Sequence, residues 1–144
     1  MEIPDLALLL TLIHLNDNRI EGRKRLQKQV CILKYGVKIP FNYEFRSYYY
    51  GPYSDNLTDA IDTLTSLGFV KEKREMITDY ASKYTYELTS EGKKKVSSIL
   101  SNMKRRNPQL LSKLSSSVSE LKTKSTEELV IKSKEVSHLR SISQ

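Results

Sequence analysis

Residues 54–92, SDNLTDAIDTLTSLGFVKEKREMITDYASKYTYELTSEG, decide the fold. Ser54 is a good N-cap, and Leu57, Ala60, Ile61 and Leu64 recur at helical spacing until Gly68, so a helix is predicted over about 54–67. Two strands follow, near 69–77 and 83–88, joined by a turn at Asp79–Ser82; Tyr84, Tyr86 and Leu88 alternate onto one face of the second. Thr89 then caps a further helix whose stripe is Val96, Ile99, Leu100 and Met103. Two strands set directly between helices read as a wing.

Working back toward the start, a first helix is predicted over about 4–16 and a second from about Arg23 to Tyr35, stopped by Gly36. Leu26, Val30, Leu33 and Val37 form the second helix's stripe, which places Lys24, Lys28 and Tyr35 outward; Cys31 and Ile32 lie off the stripe and call for a second covering surface. Phe41–Phe45 alternates like a half-buried strand, and Gly51–Pro52 turns the chain. The order helix, helix, helix, two-stranded wing, helix is that of a winged helix-turn-helix, α+β and mainly helical, assigned to residues 1–104.

Residues 105–144 form a tail of two more helices. Asn107–Pro108 starts the first, with Leu110, Leu111, Leu114, Val118 and Leu121 inward; Ser125–Glu128 is a capping box for the second, striped by Leu129, Val136 and Leu139. From Val96 onward 13 of 49 residues are serine, a mediocre helix former, so packing must hold these helices: against the domain, or as a homodimer element, the reading adopted.

One cysteine excludes an internal disulfide, and the apolar run Leu6–Leu15 is too short to span a bilayer and is preceded by Glu2 and Asp5, unlike a secretory signal. A cytoplasmic protein without a membrane segment is expected. The net charge of +7 suggests an anionic partner, with nucleic acid leading.

The run Gly22–Lys28, containing "LQK", followed by Phe45–Ser54, containing "YGP-YS", and then Leu67–Gly68, resembles an uncharacterised family of small bacterial and archaeal proteins. That family is similar in turn to the Panacea or SocA-like domain of toxin–antitoxin systems. The exit Tyr86–Gly92, with its "LT-x-x-G" turn, resembles the strand-to-helix junction of winged-helix regulators. These resemblances imply the fold, and a regulator, antitoxin or adaptor role.

Double-stranded DNA is the expected partner, as for a transcription regulator or chromatin-associated factor. Arg23, Lys24, Arg25 and Lys28 would line one phosphate strand, and Lys71, Lys73, Arg74 and Lys83 on the wing another. Helix three presents Asp55, Asp59, Asp62 and Ser66 outward, a poor face for the phosphate walls of a major groove and a better one for a basic protein partner. A protein-interaction module, antitoxin or adaptor, is therefore the alternative. Seven aromatics between Phe41 and Tyr53 suit a core and turn role better than base stacking. His14 reads as a satisfied boundary residue, His138 as surface, and Cys31 lacks the neighbours of a nucleophile. With no glycine-rich loop and no metal-ligand spacing, neither enzyme nor cofactor is expected.

Overall fold

The computed structural model describes residues 4–139, so Glu2 and the end of the tail, 140–144, lie outside the described residues. Helix α1 (Asp5–Leu15) buries Leu8 to Ile13 without a break, as an unbroken leucine-rich run must. Asn16 closes it, donating its side-chain amide to the Leu12 carbonyl at 2.9 Å. Asp17 and Asn18 then turn the chain with positive φ. His14 is satisfied at this boundary, 2.8 Å from the Asn18 side chain.

Strand β1 (Arg19–Glu21) is an element the periodicity did not reveal. Three residues carrying one buried side chain, Ile20, have no pattern of their own; the strand exists through antiparallel pairing with residues 85–87. Helix α2 (Arg23–Tyr35) has its predicted bounds but a different environment. Every residue from Leu26 to Leu33 is buried, so α2 is a central helix rather than a surface one.

Residues 41–45 alternate in burial as expected, yet form no strand. Pairing starts one step later, in the hairpin of β2 (Arg46–Tyr48) and β3 (Gly51–Tyr53). The turn is therefore Tyr49–Tyr50, and Gly51–Pro52 belongs to β3; the sequence had placed the turn at the Gly-Pro step. Helix α3 (Asp55–Ser66) is capped by Ser54, whose hydroxyl accepts from the Leu57 amide at 3.2 Å.

Strands β4 (Val70–Thr78) and β5 (Ala81–Leu88) make a long antiparallel ribbon, and the three-stranded sheet has the order β1-β5-β4. Only its base is in the core; beyond Glu72, β4 is exposed to its end. Helix α4 (Ser90–Arg106) leaves the sheet under the Thr89 cap, and α5 (Pro108–Leu121) starts under Asn107. Helix α6 (Thr126–Ser137) carries the expected capping box of Ser125 and Glu128.

Leu114, Val118, Leu121 and Leu129 are buried in the same cluster as the leucines of α1 and α2. The stripes that motivated a homodimer are thus covered within one chain, and nothing supports the dimer. Helix α6 is the second surface over α2 that Cys31 required; the thiol lies 3.8 Å from the Ser133 carbonyl. Arg25 fastens this layer at the end of α5 by donating to the carbonyls of Leu121 and Lys122, at 3.3 and 3.1 Å; the Leu121 carbonyl also accepts from the Lys124 amide at 3.1 Å. Arg25→Ala should cost about 1–2 kcal/mol in urea unfolding, the worth of charge-assisted bonds at a half-exposed site.

Candidate functional site

The eight predicted phosphate ligands do not form one open basic face. Lys28 is the clearest correction. It is 2 % exposed, and its ammonium donates to the Pro52 carbonyl at 2.6 Å. The hairpin and α6 cover the side of α2 that the helical wheel assigned to solvent. Burial pulls the Lys28 pKa down to about 8.

The neighbouring Gln27 grips the same hairpin. Its amide nitrogen donates to the Ser54 carbonyl at 2.9 Å, and its oxygen accepts from the Ser54 amide at 2.8 Å. The "LQK" and "YGP-YS" segments are therefore two halves of one lock: consecutive side chains of α2 hold the backbone that leads into α3. These motifs build the scaffold and leave no free side chain of the pair for a ligand.

The other cations are also engaged. Arg23 lies 3.7 Å over the Tyr84 ring, donates to the Tyr86 hydroxyl at 3.2 Å and pairs with Glu72 at 3.4 Å. Lys24 sits 3.8 Å over Tyr50. On the ribbon Lys73 pairs with Glu87 at 3.0 Å, Lys83 with Glu21 at 2.8 Å, and Arg74 donates to the Ser82 hydroxyl at 3.0 Å. The hydrogen bonds from Lys83 and Lys73 hold the Glu21 and Glu87 carboxyls below the usual range. Lys71 alone of the eight has no such partner among the described residues. Four cations and four carboxylates between residues 69 and 88 leave the ribbon with no net charge.

Helix α3 does present Asp55, Asp59, Asp62 and Ser66 to solvent. Arg46 makes a two-pronged contact with Asp55, at 2.9 and 3.2 Å, and lowers that carboxyl's pKa. Asp59 and Asp62 have no ion-pair partner among the described residues. Around them arginines lie against tyrosine rings: Arg46 beside the packed pair of Tyr48 and Tyr53, and Arg23 over Tyr84. Tyr49 and Tyr50 at the hairpin turn are the exposed aromatics of this side, 48 % and 59 % accessible, while Phe41 and Tyr43 are buried. The surface thus combines an acidic centre with aromatic and guanidinium neighbours.

Burial raises the Cys31 thiol to about 11, so the nucleophilic thiolate is suppressed. Among the described residues no three His, Cys, Asp or Glu side chains come together as a metal site, and no helix is long and apolar enough to cross a membrane.

Over 77 residues the chain is 40 % identical to the uncharacterized protein YwgA of Bacillus subtilis (strain 168). That stretch is 54 % of this chain and 45 % of the relative, so the match spans less than half of the relative's length. No family model matches, and no solved structure gives a match. The likeness is to an uncharacterised bacterial protein, and nothing in it extends the Panacea resemblance.

One charged element went unread in the sequence. Helix α4 carries Lys93, Lys94, Lys95, Lys104, Arg105 and Arg106 against the single acid Glu91, and all six cations are exposed. Its net +5 is most of the chain's +7. Counting charge helix by helix, rather than around the expected recognition helix, exposes it.

Proposed function

We propose that the chain is a winged-helix binding module without catalytic activity, and that the surface formed by α3, the β2–β3 hairpin and the start of α2 takes a basic protein partner. The order α1-β1-α2-β2-β3-α3-β4-β5-α4, in which β1 joins the sheet and the β2–β3 hairpin is inserted between α2 and α3, supports the winged-helix reading. The observation that carries the protein reading is the centre of the exposed α3 face, where Asp59 and Asp62 stand unpaired among the described residues. A helix docked in a major groove would hold these carboxylates beside phosphates, and cytosine alone offers them a good donor. Tyrosine and arginine at the rim are the side chains that anchor protein interfaces. The antitoxin or adaptor role implied by the family resemblance agrees with this surface. A transcription regulator reading bases with α3 does not.

Asp59→Asn with Asp62→Asn keeps size and removes two charges. Affinity for a random-sequence DNA duplex, followed by fluorescence anisotropy, should change less than about twofold, because the acids are not at the DNA. A protein retained by the immobilised wild-type chain from its source cells should bind the variant more weakly, chiefly through slower association. A clear rise in duplex affinity that shrinks with added salt would overturn the reading and return α3 to the groove.

A further inference from the structure

We propose that the outer face of α4 binds double-stranded DNA, lying across a groove with one cation triplet on each phosphate wall. This surface is separate from the α3 face and does not rest on the reading given to it. Val96 and Met103 anchor the helix in the core, with Ile99 and Leu100 packed beside them, so its opposite side is held rigidly toward solvent.

The spacing of the cations is the central observation. Lys93 and Lys104, Lys94 and Arg105, Lys95 and Arg106 are each eleven residues apart. Eleven residues are about three helical turns, so the members of each pair project in the same direction. The two triplets stand roughly 16 Å apart along the axis, at about 1.5 Å per residue. With the reach of their side chains they can meet both walls of a DNA major groove about 12 Å wide. Between them the face holds Ser97, Ser98, Ser101 and Asn102, short side chains that let the helix approach and can donate to phosphate oxygens.

Structural roles account for only half of this charge. Lys104, Arg105 and Arg106 complement the negative end of the helix dipole, but Lys93, Lys94 and Lys95 lie toward the positive end and repel one another. Only Lys94 has a carboxylate partner among the described residues, Glu91 at 3.4 Å. The large exposed hydrophobic side chains lie on other elements, so α4 offers no apolar wedge for a lipid surface. The contacts would hold phosphates and read no sequence.

The test is fluorescence anisotropy of the full chain with a labelled random-sequence duplex at low and moderate salt. Wild type should show a log–log salt slope near −5 if all six cations meet phosphates. K93Q/K94Q/K95Q and K104Q/R105Q/R106Q should each weaken binding at least tenfold at low salt and flatten the slope by about 2 to 3. The charge-matched triple K71Q/K73Q/K83Q on the ribbon should lose less than threefold; circular dichroism checks that each variant is folded. Equal losses in all three triples would mean that net charge alone is sensed, and would overturn the proposal. So would absence of duplex binding by wild type, or equally tight binding to single strands, to polyglutamate or to vesicles containing phosphatidylserine.

Discussion

Gly92→Ala is expected to lower the melting temperature by roughly 10 °C, read by differential scanning calorimetry. The backbone conformation here is ordinary helix, so the requirement is for space. A Cβ on Gly92 would stand 2.0 Å from the Phe69 carbonyl oxygen and 3.0 Å from its carbon, both backbone atoms that no rotamer change can move. That carbonyl is fixed from the other side, since it accepts from the Thr89 amide at 3.1 Å. Thr89 also donates its hydroxyl to the Gly68 carbonyl at 2.6 Å and accepts from the Gly92 amide at 3.0 Å. The "LT-x-x-G" turn is thus a clasp that seats the start of α4 on the end of α3. Overpacking it should cost about 3 kcal/mol, against which the better helix propensity of alanine returns less than about 1. Gly68 is the comparison. Its φ of +82° favours glycine, but nothing lies within 4 Å of its added Cβ, so Gly68→Asn should cost under about 1 kcal/mol. Similar melting temperatures for Gly92→Ala and wild type would show that the junction yields and is no clasp.

The buried lysine should make stability rise with alkaline pH. Between pH 8 and its ordinary value of 10.5, the unfolded chain still holds the Lys28 proton while the folded chain has released it. Folding is then favoured progressively as pH increases, by about 3 kcal/mol in total. Below pH 8 both states are protonated and this dependence vanishes. Burial also pushes Tyr86 up to about 12, so above pH 10 the tyrosines titrate first in the unfolded chain and oppose the trend. Lys28→Met isolates the lysine, because the tyrosines are common to both proteins. At neutral pH this variant should stay within about 1 kcal/mol of wild type, since removing a buried charge offsets the bond lost at Pro52. It should lack the rise between pH 8 and 10. Lys28→Ala, which leaves a void, should cost about 3 kcal/mol. Neither change should alter duplex affinity by more than about twofold, for an ammonium inside the fold meets no phosphate. Guanidinium unfolding at a series of pH values gives these stabilities; a flat wild-type profile would show that Lys28 stays protonated throughout.

Local chemistry was enough to determine much of the chain. Ser54, Thr89 and Ser125 cap helices where their side chains predicted, α5 starts at the Asn107–Pro108 step, and the approximate bounds of α2 were legible. Caps and helical stripes are written within a few residues, so they survive without knowledge of the rest of the chain. The outward acids of α3 were legible for the same reason. What tertiary structure alone decided is how each polar face is covered. A wheel sorts a helix into two sides, but α2 is enclosed by elements far away in sequence, and that enclosure turned Lys28 from an expected phosphate ligand into one half of a lock with Gln27. Strand β1 likewise exists only through its partner, 66 residues away at Ile20 and Tyr86. Long-range pairing and burial depend on where distant segments arrive, and no local pattern encodes that arrival; the same is true of which cations remain free to meet a partner.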